Sequence, residues 1–179
     1  MLGTRYEEYL NFTDNIPFIL SRNIKRSTDI YSTDVNWHDN IEIQLCTQGE
    51  GFVLLDSKHI SFNKGEIAIA NSNVMHYTGT HSNLNYDCLI LDSKFCRQAN
   101  IYPDKTFFDE HFESEYILKI WGDIKKTYLS SDPYRVAKLR QLALCRDHSK
   151  DKFFLCHPKF LICIRFQNVH RRMFCQGIY

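Results

Sequence analysis

Three polar side chains within a mostly apolar stretch have the types and spacing of a metal site or a ligand site. His38, Glu42 and Gln44 share one parity along residues 36–49, so on a β-strand all three lie on the same face. The residues between them from position 41 onward are apolar and lie on the other face. One face of this strand is polar, but the strand as a whole is too apolar to be an exposed edge of a sheet. The pattern therefore predicts a closed barrel in which the polar face lines a cavity.

A second histidine, His76, follows the next apolar stretch, and we expect it to approach the same cavity from a neighbouring strand. Imidazole nitrogens with one carboxylate suit zinc, iron or manganese, so His38, Glu42 and His76 are candidate metal ligands. The alternative is that they form hydrogen bonds to a ligand, to each other or to water. Asn36 and Tyr77 join them as candidate ligand-binding residues. We expect no cofactor, with a divalent metal as the alternative.

The stretch around His38 resembles the first motif of the cupin family. That motif reads His-x-His, three or four residues, Glu, six residues and Gly. His38, Glu42 and Gly49 match it, and Asn36 stands where the first histidine would be. Metal-binding cupins use both of these histidines, so the resemblance implies an incomplete metal set.

The stretch that ends at His76 resembles the second cupin motif, which reads Gly, five residues, Pro-x-Gly, two residues and His. Gly65 and His76 match this pattern, whereas Asn71 and Asn73 replace the proline and the glycine. The resemblance therefore leaves three of the four residues that would bind a cupin metal.

Over residues 10–150 the order of features is similar to the N-terminal domain of AraC-type transcriptional regulators. The features are Trp-His-x-x-x-Glu-Ile, Gly-Glu-Gly-Phe-Val, Lys-Gly-Glu-Ile, a turn, a histidine and two helices. The resemblance implies a mainly β, cupin-like jelly-roll barrel that holds a small effector, for which a sugar is one candidate. It also implies a C-terminal antiparallel α-helix pair for homodimerisation, and DNA binding only through a helix-turn-helix domain that lies beyond this sequence.

Hydrophobic periodicity divides the chain into an N-terminal arm (1–15), a barrel (16–106), a helical segment (107–150) and a basic, atypical tail (151–179). Within the barrel, Gly49-Glu50-Gly51 is expected to be a turn. Three- and four-residue spacing predicts the first helix, and Asp132 and Pro133 are expected to begin the second, which would run to about His148. The residues expected to form the dimer contact are Ile117, Ile120, Trp121, Ile124 and Leu139.

Charge and composition exclude several classes of protein. The net charge is +1, with +4 in residues 151–179, which leaves −3 for residues 1–150. We therefore expect no specific DNA binding by these residues. The start of the chain lacks a signal peptide and no apolar run is long enough to span a membrane, so we expect a cytoplasmic protein with no membrane partner. The tail's composition also suggests a change of reading frame, which translating the source DNA in the other frames would test.

Two functions remain open at this point. The first is an effector-sensing, dimerising domain of an AraC-like regulator, which is not an enzyme. The second is a small metal-dependent cupin enzyme, an isomerase or a dioxygenase. The helix pair and the replacement of the first motif's leading histidine by Asn36 favour the first.

Overall fold

The computed structural model describes residues 4–8, 12, 15–28, 35–144, 146–147 and 152–153, and the expected tail lies almost wholly outside them. Nine strands form one connected sheet: β1 (Thr4–Tyr6), β2 (Phe18–Ser27), β3 (Val35–Trp37), β4 (Ile41–Leu55), β5 (Lys58–Asn63), β6 (Ile67–Ala70), β7 (His76–Gly79), β8 (Asn83–Leu91) and β9 (His111–Phe112). The remaining elements are α1 (Ser93–Gln98), α2 (Glu115–Tyr128), α3 (Arg135–Ala143), and the short pair β10 (Arg146–Asp147) and β11 (Lys152–Phe153).

Strand β4 belongs to both layers of the fold. Its first part pairs with β8 and β6, which continue to β2 and β9. Its last part pairs with β5 and β7, and β7 continues to β3 and β1. This confirms the predicted mainly β, cupin-like jelly roll. Within the described residues no ladder joins the edge strands of the two layers, so the sheet is not closed and the expected closed barrel is corrected to two facing layers.

The predicted turn at Gly49-Glu50-Gly51 is wrong, because β4 runs through it as a bent strand. Gly49 adopts a φ of +77°, and the register against β8 shifts between Cys46 and Gln48. A Cβ atom on Gly49 would lie 2.0 Å from the carbonyl oxygen of Asn83. The glycine therefore permits both the left-handed backbone and the close approach of β8.

The strands have two apolar faces that serve different cores. The outer face of the β2–β8–β4 layer packs beneath the helices, with Ile41, Ile43 and Leu45 all buried. The opposite face lines the space between the layers, which we call the interior. Its buried apolar residues are Cys46, Val53, Leu55, Phe62, Ala68, Ala70, Leu84, Tyr86, Cys88 and Ile90. The alternation along β4 thus directs its polar residues inward, as the sequence predicts.

Helix α2 is the predicted first helix. Ser114 caps it by accepting a hydrogen bond from the backbone N–H of Ile117 at 3.2 Å. Glu115 in the first turn and Lys125 and Lys126 in the last turn complement the helix dipole. None of the helices in the described part of the chain is long and apolar enough to cross a membrane.

The second helix differs from its predicted bounds. It begins at Arg135 after Tyr134, because Asp132 accepts a hydrogen bond from the backbone N–H of Tyr134 and forms a turn before the helix. It ends at Ala143, five residues before the predicted end. The segment expected to be helical also contains β9, which pairs with β6. The division of the chain at residues 15, 106 and 150 stays a prediction.

The five residues expected to form the dimer contact lie inside the single chain. Ile117, Trp121, Ile124 and Leu139 are 0% exposed and Ile120 is 4% exposed. They pack on the outer face of the sheet, because that face is mostly apolar and needs a cover. The expectation that these side chains contact a second copy is therefore corrected: they belong to the core of the monomer.

Candidate functional site

A buried carboxylate, Glu42, lies at the centre of a polar cluster in the interior. Its Oε2 atom is 3.3 Å from Nε2 of His38 and 3.4 Å from Nε2 of His76. The two imidazole rings meet edge to face, with their centroids 4.9 Å apart. His38, Glu42 and His76 are 1%, 8% and 6% exposed, so the cluster is nearly excluded from water.

The cluster extends along β4 and across to β7. Gln44 donates a hydrogen bond from Nε2 to Glu42, and Thr78 donates its hydroxyl to Oε1 of Gln44 at 2.9 Å. Thr78 has the same parity on β7 as His76, so both side chains face inward. Thr78 is a member that the sequence reasoning missed, although its parity with His76 could have indicated it.

Main-chain carbonyl groups orient both imidazoles. Nδ1 of His38 lies 3.1 Å from the carbonyl oxygen of Asn40, and Nδ1 of His76 lies 2.9 Å from that of Val74. A carbonyl oxygen only accepts, so each Nδ1 carries a proton and each Nε2 is directed at Glu42.

Glu42 and His76 stabilise each other's charged forms. Burial raises the pKa of the Glu42 carboxyl, but the hydrogen bonds and charges of His38 and His76 outweigh this effect and hold it well below its usual range. Burial lowers the pKa of His76, but Glu42 outweighs this effect and leaves it above its usual value. The arrangement therefore favours an ionised carboxylate next to a protonated His76.

Asn36 contributes an acceptor that has no donor. It pairs directly with His76 across the β3–β7 ladder, so the two side chains share the interior face. Its Oδ1 atom is buried and has no hydrogen-bond partner among the described residues. Buried polar atoms are rarely left unpaired, so this oxygen can accept a hydrogen bond from a ligand or from water.

The interior contains two thiols of low reactivity. Cys46 and Cys88 are buried and form no disulfide. Burial raises the pKa of both thiols, so they remain protonated at neutral pH. They serve as small apolar side chains.

The structure brings five of the six predicted ligand-binding residues to the interior face: Asn36, His38, Glu42, Gln44 and His76. Tyr77 does not join them. It follows His76 on β7 and therefore points to the opposite face, where its ring lies 6.2 Å from that of Phe52. Because side chains alternate along a strand, the ring of Tyr77 lies outside the interior.

The same cluster has the ligand types of a divalent metal site. The candidate ligand atoms of His38, Glu42 and His76 all lie within 4.8 Å of one another. Both histidines have their Nδ1 atoms held by carbonyl groups and present Nε2, which is the arrangement of metal-bound histidines. Two nitrogen atoms and one carboxylate would suit zinc, iron or manganese, and a metal would have to displace the proton that His76 holds.

A family model, described as the AraC-like ligand binding domain, matches residues 24–94. The matched range contains β3 to β8 and therefore every member of the cluster described above. A search of curated proteins gave no match.

Two solved structures are similar to parts of this chain. ToxT from Vibrio cholerae is 12% identical, with a TM-score of 0.47, over 72% of this chain and 54% of that chain. A Cupin 2 conserved barrel domain protein from Salinispora arenicola is 13% identical, with a TM-score of 0.36, over 50% of this chain and 76% of that chain. The chain thus spans about half the length of ToxT.

Proposed function

We propose that this chain, whose residues 24–94 belong to the AraC-like ligand binding domain family, binds a small-molecule effector between its two layers. In this proposal it is the sensing domain of a transcriptional regulator, and DNA is read by a separate helix-turn-helix domain. The main support for the effector site is one observation: a buried polar cluster, surrounded by apolar side chains, contains an acceptor atom on Asn36 that has no donor among the described residues.

The cluster has the properties of a recognition site. Glu42, Gln44 and Thr78 form a chain of hydrogen bonds with fixed directions, so an incoming hydroxyl or amine meets preorganised partners. Ala68 and Ala70 face Gln44 and Glu42 across the β4–β6 ladder, and their side chains add little bulk beside the polar atoms. An effector with a hydrogen-bond donor would pair with Oδ1 of Asn36.

Native mass spectrometry of the purified full chain tests this proposal. We expect the wild type to carry a small molecule, and Asn36→Leu to lose it because leucine has a similar size and no acceptor. Tyr77→Phe is the matched control, since its side chain lies on the opposite face and the variant should retain the molecule. A wild-type chain that carries no small molecule, or an Asn36→Leu chain that retains it fully, would contradict the proposal.

A metal-dependent cupin enzyme is the second candidate, because His38, Glu42 and His76 present a nitrogen–nitrogen–carboxylate set. Inductively coupled plasma mass spectrometry separates the two functions. One equivalent of iron, manganese or zinc per chain, lost on His76→Gln, would favour the enzyme. A substoichiometric metal content that does not change in this variant would favour the effector site.

A homodimer with two-fold symmetry also remains a proposal, and its contacts must come from side chains that the monomer leaves exposed. Tyr116, Leu129 and Tyr134 on the helical segment are 39%, 63% and 71% exposed. Light scattering of the wild type and of Leu129→Asp tests this surface. A wild type that is monomeric at high concentration would exclude the dimer.

A further inference from the structure

Arg26 on β2 has a buried donor atom without an acceptor. Its Nε atom is covered by protein and has no hydrogen-bond partner among the described residues. Arg26 also has no ion pair within the described part of the chain. An arginine side chain always carries a positive charge, so this part of the fold contains a cation whose counter-charge the described residues do not supply.

The strand pairing directs Arg26 into the interior. It pairs with Leu84 on β8, and the next inward position, Ile24, pairs with Tyr86. Leu84 and Tyr86 belong to the interior core, with Ile24 packed against it, so the side chain of Arg26 shares their face. A register shift between Ser21 and Ile24, where Asn23 has a φ of +55°, separates this part of β2 from its first part.

Tyr86 is the polar neighbour of Arg26 in this region. Burial raises the pKa of the Tyr86 hydroxyl, and the Arg26 guanidinium opposes this rise through its charge and a hydrogen bond. Tyr86 is 5% exposed, and the adjoining Leu84 is 0% exposed. A guanidinium group and a phenol hydroxyl therefore lie together against an apolar wall.

We infer that Arg26 and Tyr86 form an anion subsite of the interior, which binds the carboxylate group of an organic-acid effector. This inference rests on the proposed function and specifies the class of its ligand. A buried donor without an acceptor is costly, and a bound anion supplies an acceptor for Nε of Arg26.

The apolar surroundings of Arg26 favour an organic carboxylate over free phosphate, since a guanidinium group can bind either anion through two N–H groups. An arginine binds a carboxylate through two parallel N–H groups, and Nε, which has no acceptor among the described residues, would provide one of them. The adjoining wall of Ile24 and Leu84 is apolar and suits the hydrocarbon part of an organic acid. Tyr86 pairs with Cys46, four residues along β4 from Glu42, which corresponds to about 13 Å on an extended strand. A ligand that reaches both places carries an acid at one end and a hydrogen-bond donor at the other.

Thermal unfolding with matched pairs of compounds tests the subsite, on full chains that have first been unfolded and refolded to remove any molecule bound during purification. The probes are straight-chain carboxylates from acetate to decanoate, the corresponding neutral amides, and inorganic phosphate. We expect at least one carboxylate to raise the Tm of the wild type by several degrees in a dose-dependent way, whereas its amide and phosphate do not. Arg26→Met should lose this response. Lys25→Met is the matched control, because it removes the same charge from the neighbouring, exposed position on the outer face.

A second readout separates binding from structure. In these refolded chains without added compound, the Tm of Arg26→Met should equal or exceed that of the wild type, because the variant removes a buried donor that has no acceptor among the described residues. A lower Tm would assign Arg26 a structural role and overturn the inference. Equal responses to acid and amide, equal responses of wild type and Arg26→Met, a larger response to phosphate, or no response to any acid would also overturn it. Effector binding as such would then be unaffected, since native mass spectrometry detects a bound molecule of any charge.

Discussion

Replacing Glu42 with glutamine should destabilise the protein in a way that depends on pH. The variant keeps the size of the side chain and its capacity for hydrogen bonds, but it removes the negative charge between His38 and His76. Hydrogen bonds to charged groups contribute about 1.5–3 kcal/mol each, and the two contacts, at 3.3 and 3.4 Å, are long. We therefore expect Glu42→Gln to lower the free energy of unfolding by about 2 kcal/mol at pH 6, which is about 4–8 °C in Tm.

The sign of the pH dependence follows from the two shifted groups. The pKa of His76 is raised in the folded protein, so its contribution is fully present below the unfolded value of about 6.5 and is lost as the pH rises through the folded value. The pKa of Glu42 is lowered, so its contribution is present above the unfolded value of about 4.3 and is lost as the pH falls through the folded value. The effect of Glu42→Gln should therefore be largest between about pH 5 and pH 6.5 and smaller at pH 8.

Urea denaturation of the wild type and the variant at several pH values measures this effect. Glu66→Gln is the control, because Glu66 also contacts a histidine, His111, at 3.0 Å, but at the surface. An exposed pair contributes about 0–1 kcal/mol, so the control should lose little at any pH. Equal losses for Glu42→Gln at pH 6 and pH 8, or a gain in stability at both, would refute the assigned charge states of Glu42 and His76.

Three further substitutions test the fold around the site. Asp87→Asn should lower the free energy of unfolding, measured by urea denaturation, by about 3 kcal/mol, because Asp87 is 1% exposed and its carboxylate binds Lys125 of α2 at 3.0 Å. A loss below about 1 kcal/mol would show that this ion pair does not hold α2 on the sheet. Gly49→Ala should lower the free energy of unfolding by about 3 kcal/mol, because a Cβ atom there would meet the backbone of the facing strand. Gly65 also has a positive φ but open space around it, so Gly65→Ala should lower the free energy of unfolding by only about 1 kcal/mol. Similar losses for the two variants would contradict the close approach at Gly49. Ile124→Ala should cost about 3 kcal/mol by the same assay and leave the molecular mass in light scattering unchanged, and a change in mass would restore Ile124 to a dimer contact.

Strand periodicity alone was sufficient to predict the inward face of the site. His38, Glu42 and Gln44 have the same parity, and the structure buries all three between the layers. The order of the two motifs predicted that His76 would approach, and it lies 3.4 Å from Glu42. These predictions succeeded because a period of two is a local property of an extended chain.

Other features depended on contacts that are distant in sequence. Glycines at positions 49 and 51 have the composition of a chain reversal, yet the pairing of β4 with β8 extends to Gly49 and keeps the strand continuous. The sequence alone does not show what buries Ile124 and Leu139. In the structure, both pack on the apolar outer face of the sheet. The inward direction of Arg26 was not accessible from the sequence, since the register shift in β2 breaks its alternation.

The most direct test of the effector site is a crystal structure of the full chain as purified, with diffraction data collected at the absorption edges of iron, manganese and zinc. We predict electron density for one organic molecule between the layers, in hydrogen-bond contact with Oδ1 of Asn36, and no anomalous peak at the cluster. A single anomalous peak coordinated by His38, Glu42 and His76, without organic density beside it, would contradict the effector site and favour a metal centre.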